Sequence, residues 1–335
     1  MQENRQELLI ISAVFGALII GLSLLYLYAK PDNKTPIPPK TDEPVVAKKT
    51  EPQTTALSGD VRNESNDFPL EDVTVTIGSN TTKTDKAGLY YFDKVEVGSA
   101  EATYGLPKFE TLKIPLNLAE NPIIKVKLKS KTSTRTDKKQ SQEAIDLFIG
   151  GALPSYYEGS NKVKPLNKKN SPIKIHLEGD ASPVDTQCVN AFIDDINKLT
   201  DTYYFKLAKG DYYNMRIYIL DRKSAEAKLG AINNNNNNGY FWNGLDQESS
   251  LEDGIVWVNT TIQDPATRCF VIRKYFTHAI GFPNSPTTNK SSILYPDDLR
   301  SDSSWNDLDK TIISMMYSYD LPPGLDEAGV RNFFK

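Results

Sequence analysis

At 335 residues, with 39% hydrophobic and 24% charged residues, the chain is long enough for two ordinary domains, each able to bury a core. A net charge of −4 excludes nucleic acid as the main partner, because phosphate recognition needs a basic face. Cysteine and histidine number two each, so neither a cysteine knuckle nor an all-histidine metal site can form within one chain.

Residues 1–7 are a short polar tail. Residues 8–28 (LLIISAVFGALIIGLSLLYLY) carry no charge, and at ~1.5 Å per residue they reach across a ~30 Å hydrocarbon layer. The run exceeds a signal-peptide core and no small-x-small cleavage site follows, so it reads as a single-pass transmembrane anchor. Residues 29–55, rich in Pro, Lys, Thr and Glu, read as an extended solvated stalk.

From 56 to 130 the pattern changes to short alternating strands: GDV, VTVTIG, LYYFDKV, EATYG, ETLKIPL and IIKVKLK. This segment is predicted to be an all-β sandwich. Asp85 is placed to bond forward to backbone amides while Gly88 takes the positive φ that closes a turn. Residues 131–141 (KTSTRTDKKQS) form a second polar linker.

The last segment, 142–335, mixes both periods and is predicted to be α/β. A helix carries Ala144, Leu147 and Phe148, and a strand over 171–179 puts Ile173, Ile175 and Leu177 on one face and His176 on the other. Val184, Cys188, Val189, Phe192, Ile193 and Ile196 recur at helical spacing. Two strands follow (YYFKLA, NMRIYIL), then six consecutive asparagines that read as a surface loop, then strands around Phe241-Trp242 and GIVWVNTT. Asp264-Pro265 starts a helix and Gly281 with Pro283 ends it, with Cys269, Ile272, Phe276 and Ala279 on its buried face. A further helix spans 308–319. Cys188 and Cys269, each on a helix, either form one disulfide outside a reducing compartment or remain two buried thiols.

Two resemblances follow from these motifs. Gly59-x-Val61, Pro69-Leu70-x-x-Val73-x-Val75, Thr84-Asp85-x-x-Gly88-x-Tyr90-x-Phe92 and Val95-x-x-Gly98 resemble the carboxypeptidase-regulatory, transthyretin-like sandwich family, which implies a spacer or adhesion module. Residues 274–282 (KYFTHAIGF), Asn284-Ser285, Ser292-Ile293-Leu294 and Met316-Tyr317 through Gly324 resemble an uncharacterised bacterial family of zincin-like domains, a degenerate relative of the metzincin helix HExxHxxGxxH. On that helix pattern Lys274, Tyr275, His278, Gly281 and Asn284 fall at the signature positions, and the turn falls on Ser292 to Tyr295.

The resemblance implies a cleft without chemistry. A hydrolytic zinc needs about three ligands and a general base. Lys274 stands at the first ligand position, Tyr275 at the base and Asn284 at the third ligand, so no metal, no cofactor and no enzyme activity are expected. Lys274, Tyr275, His278, Asn284 and Tyr295 then line a remnant cleft. In the resembled zincins the strand beside this helix pairs with extended substrate, which makes Trp257 and Asn259 candidates for a ligand edge. The combined expectation is a single-pass, membrane-anchored surface protein binding a peptide, a protein or a cell-envelope polymer. Its large domains are placed on the extracytoplasmic side, against the charge bias around the anchor, because the sandwich type and a disulfide suit export. Two alternatives stand beside it: a divergent metal-dependent protease using His278 with Asp297 or Asp298, and a structural component of an envelope complex.

Overall fold

In the computed structural model, which describes residues 53–118, 123–153, 162–165, 172–209, 213–232, 238–245, 251–296 and 300–335, the N-terminal strands follow from alternation. β1 (Thr54–Asn63) buries every second residue, and β2 (Thr74–Ile77) does the same. With β3 (Asn80–Lys83), β4 (Leu89–Glu96), β5 (Gly98–Gly105), β6 (Leu112–Leu118) and β7 (Ile123–Leu128) they form two sheets, ordered β4-β1-β7 and β3-β2-β5-β6. Leu57, Val61, Val73, Val75, Tyr104 and Phe109 fill the space between them. Asp85 Oδ1 accepts from the amides of Ala87 and Leu89 at 2.8 and 2.9 Å, and Gly88 takes φ +78°, where a side chain would be strained. Thr54 and Thr55, at the end of the stretch read as stalk, already belong to β1.

The second half is a five-stranded sheet ordered β11-β12-β10-β8-β9. β8 (Ile173–Gly179), β9 (Phe205–Leu207), β10 (Met215–Leu220) and β12 (Leu251–Asn259) run parallel, while β11 (Gly239–Leu245) is an antiparallel edge. Helices α1 (Gln142–Ala152), α2 (Pro183–Leu199), α4 (Pro265–Ala279), α5 (Asp307–Tyr317) and α6 (Glu327–Phe333) share the core on one face with Ile175, Ile217 and Val256. On the other face α3 (Arg222–Leu229) packs Ala225 against Tyr218 and Trp257. The α2 and α4 helices are joined by the Cys188–Cys269 disulfide, with Cα atoms 5.8 Å apart.

The two halves are tied together, and Pro52–Lys335 forms one compact unit. Tyr204 packs against the sandwich core, Lys108 Nζ donates to Thr200 O, and Lys206 is bonded to Glu71 and Asp72. Residues 131–141 are not a free linker: Ser133 donates to Asp320 and to Ser318 O, Arg135 pairs with Asp201, and Gln140 bonds Tyr319. Ser133, Arg135 and Gln140 find protein partners across the molecule, a pattern that composition alone does not reveal.

The fold class expected from the sequence, with a membrane helix ahead of two domains, is corrected. The described residues form a mixed α/β structure with three sheets and six helices, and no helix among them is long and apolar enough to cross a membrane. The longest, α2 at 17 residues, carries Asp185, Asp194, Asp195 and Lys198, charges that a bilayer interior would leave unsolvated. The anchor expected at 8–28 lies outside the described residues, as do 233–237 of the asparagine run. The single-pass, extracytoplasmic placement expected from the sequence is corrected accordingly: no helix among the described residues supports it.

Candidate functional site

α4 begins where Asp264 accepts from the amide of Thr267 at 2.8 Å, with Pro265 in the first turn. It ends at Gly281, whose φ of +119° and whose approach to Lys164 O leave no room for a strain-free side chain. The sequence suggests one buried face, yet every residue from Phe270 to Ala279 is buried. The sheet covers one side, while α2 and the segment around Trp305 cover the other, so the helix is central to the body.

Full burial decides the fate of the polar groups at the expected cleft. Lys274, 2% exposed, donates from Nζ to Tyr295 O at 2.7 Å, across 21 residues. His278, also 2% exposed, places Nδ1 2.5 Å from Phe282 O, which accepts, so Nδ1 carries the proton. Its ring stacks on Phe241 of β11 at 5.0 Å and 13° and lies 6.0 Å from Tyr275. Gly239 passes so close above Tyr275 that a Cβ there would overlap its ring. Asn284 donates from Nδ2 to Leu153 O and among the described residues receives no bond at Oδ1, while Tyr295 is half-buried. The side chains of Lys274, Tyr275 and His278 therefore brace β11, α4 and the 292–295 turn, and the space of a cleft is filled by aromatic rings.

The turn itself is built on a residue that the sequence reading passed over. Asp309, fully buried at the start of α5, accepts from Ser292 Oγ at 2.6 Å and from the amide of Ile293 at 3.0 Å. It also closes the capping box of α5 with Asn306. Burial pushes its carboxyl above the usual range, against the pull of these hydrogen bonds. The signal was present in the sequence as Asn306-x-x-Asp309 before an apolar run.

Trp257 and Asn259 do not form a ligand edge, which corrects that expectation. β12 lies between β11 and β10, so both its sides are hydrogen-bonded to neighbours. Trp257 is fully buried under α3 and donates from Nε1 to Leu220 O at 2.9 Å. Asn259 is buried and accepts from the amide of Thr261 at 3.0 Å. Among the described residues the edge belongs to β11, where Trp242 is 45% exposed. Hydrophobic continuity marked GIVWVN as the stronger strand, but it could not say which of two adjacent strands ends the sheet.

No set for metal chemistry is assembled among the described residues: no group of three or more His, Cys, Asp or Glu converges. Both cysteines are consumed by the disulfide. His176 alternates with core-facing Ile175 on β8 and stacks on Tyr213 at 5.0 Å, across the sheet from His278. Asp297 and Asp298, the carboxylates that a divergent protease would need, lie outside the described residues.

No family model matches the chain, and no curated protein matches it. Solved structures with local likeness include the Bacillus anthracis TIE protein, 11% identical over 23% of this chain and 16% of that one, with a TM-score of 0.20. A streptococcal ancillary pilin is 17% identical over 27% of this chain and 35% of that one, at 0.20. A type II cohesin–X-dockerin complex from Acetivibrio cellulolyticus is 12% identical over 32% of this chain and 82% of that one, at 0.22. The chain spans well under two thirds of the first of these, and TM-scores this low assign neither fold nor function.

Proposed function

We propose that this chain is a non-catalytic binding protein that takes an extended peptide by strand addition to β11. The observation that carries the reading is β11 itself: among the described residues it is an antiparallel strand at the edge of the sheet, laid over a helix whose Lys274 and His278 side chains are engaged internally. An edge strand offers main-chain groups for affinity, and its alternating side chains set specificity. On β11 the inward Phe241 locks the strand to His278, while Trp242 presents an exposed indole beside an incoming strand.

The resemblance to degenerate zincin-like domains supports the same reading. In the resembled zincins the strand beside the signature helix pairs with extended peptide; the strand first expected in that role, β12, is paired on both sides, which leaves β11 beside it as the strand to accept one. Lys274, at the first ligand position, donates to Tyr295 O and so ties helix to turn. The sandwich, in this reading, is a spacer that shares one body with the binding domain.

Hydrogen–deuterium exchange on the full chain, with and without a tryptic digest of casein, tests the proposal. Peptide addition is expected to slow exchange across 239–245, and Trp242→Ala is expected to weaken the effect. Unchanged exchange at millimolar peptide overturns the reading. Protection by soluble peptidoglycan fragments alone replaces peptide with polymer, and chelator-sensitive cleavage of intact casein overturns the non-catalytic assignment.

A further inference from the structure

A second site, independent of β11, opens between the C-terminal half of α2, the middle of α4 and the start of α5. The hollow holds about 310 Å³ and is lined by Asp195, Lys198, Arg273, Ser304, Trp305 and Lys310. That volume is at the lower end of the ~300–1,000 Å³ range of small-molecule sites. A neighbouring hollow of about 260 Å³ shares Lys310 and adds Arg135, whose guanidinium is already paired with Asp201.

Arg273 is the unusual member. Its side chain is 6% exposed, yet among the described residues its one hydrogen bond runs from Nη1 to Asp195 Oδ2 at 3.1 Å. Among the described residues Nε is buried and has no partner. The guanidinium lies over the Trp305 ring at 4.7 Å, while the indole N–H is satisfied by Thr277 Oγ1 at 3.0 Å. Trp305 therefore gives Arg273 a flat support and no hydrogen bond.

A guanidinium carries five N–H donors, and buried donors left unpaired are costly. Asp195 answers only part of that demand and is itself 43% exposed, at the mouth of the hollow. At the rim Lys198 and Lys310 are 75% and 47% exposed; they reach Asp195 at 3.5 Å and Asp307 at 3.0 Å, leaving ammonium donors for a further partner. Of the residues that line the hollow three are cations and one, Asp195, is a carboxylate, while Asp307 pairs with Lys310 and Asp302 acts on Arg273 from beyond the lining.

We infer that this cleft binds an oxyanion, a carboxylate or a phosphate, with Arg273 as its fork-shaped donor and Lys198 and Lys310 closing over it. The planar fork matches two oxygens of either anion, and low local dielectric strengthens the contact. Desolvation also holds Arg273 below the usual guanidinium range, against the pull of Asp195, so an arriving anion would relieve the burial of an under-partnered charge.

Isothermal titration of the full chain with sodium phosphate and, separately, sodium malonate tests the assignment, with sodium chloride matching ionic strength. At least one anion is expected to bind with a Kd of about 1 mM or below. Phosphate alone identifies a phosphorylated ligand, and malonate alone identifies a carboxylate ligand. R273Q is expected to abolish binding. The rim variant K198A/K310A, altered only at exposed positions, is expected to fold normally and bind about tenfold more weakly. Absence of binding by either anion overturns the inference, as does unaltered affinity in the rim variant.

Discussion

Lys206 Nζ lies 2.9 Å from Glu71 Oε2, and this bond across 135 residues joins the sheet of the α/β half to the sandwich. Both side chains are more than nine-tenths buried, and Asp72 Oδ2 adds a second carboxylate at 2.7 Å. Polar groups placed this deep are specific in what they accept as partners, because water cannot substitute for them.

Lys206→Met is expected to cost about 3–5 kcal/mol, since it leaves Glu71 buried without its cation. Adding Glu71→Leu should restore much of that loss, because an apolar pair needs no desolvation. Urea midpoints of the single and double variants check both statements. Persistence of the full loss in the double variant would show that the pair matters through geometry more than charge.

The same cluster sets a pH window. Burial raises the Asp72 carboxyl, but the Lys206 hydrogen bond and charge outweigh it and hold the group below the usual range. Burial likewise lowers Lys206, and bonds to Asp72 and Glu71 outweigh it and raise the group. The depressed acid contributes stability above its unfolded value of ~3.9, lost as pH falls through the folded one. The raised base contributes below ~10.4, lost as pH rises through the folded value. Thermal melts of wild type against Lys206→Met should converge at both extremes and separate most near neutrality.

Reduction should be costly. The disulfide closes a loop of 81 residues between α2 and α4. In the chain-entropy account a loop of that length contributes about 4–5 kcal/mol by restricting the unfolded chain. A Cys188→Ser, Cys269→Ser double variant should melt well below wild type under non-reducing conditions and match reduced wild type. Equal melting with and without reductant would contradict this.

His278 separates packing from ligand roles. His278→Ala is expected to cost about 3 kcal/mol through the cavity left beneath Phe241. His278→Phe keeps the stack, loses the bond to Phe282 O, and should cost about 1 kcal/mol. A metal or proton-transfer role would make the two variants equally defective in any activity, whereas stability measured by denaturation should rank them apart.

Asp309→Ala should destabilise by about 2–4 kcal/mol, because Ser292 Oγ and the amide of Ile293 lose their acceptor and α5 loses its capping partner. Since burial raises this carboxyl in the folded state, the folded chain binds its proton more tightly than the unfolded one. Its contribution is therefore fullest below ~pH 4 and declines as pH rises through the folded value. Asp309→Asn should flatten that slope, read from denaturation midpoints between ~pH 3 and 7.

How far the chain announces itself depends on the range of the interaction. Alternation in β1 and β2, the Asp264-Pro265 start and Gly281 stop of α4, and the amphipathic run of α2 are visible in the sequence because each arises within a few residues. By contrast α3 buries only Ala225 and shows little periodicity, so it emerges only where Tyr218 and Trp257 receive it. Lys274 and His278 were identifiable on α4, but their partners were not: Tyr295 O for Lys274 is 21 positions away, and Phe241 for His278 comes from a strand that precedes the helix.

The sequence by itself determined where the strongly periodic strands and helices form and that residues 274–284 lack the ligands and base of a hydrolytic zinc. Tertiary structure decided which strand ends the sheet, that Lys274 and His278 of α4 are spent on internal bonds, and that Arg273 of the same helix is left with fewer partners than its donors require. The physical reason is that local periodicity fixes a residue's face, whereas burial from both sides, supplied by distant segments, fixes whether its charge meets a partner, a ring or an open cleft.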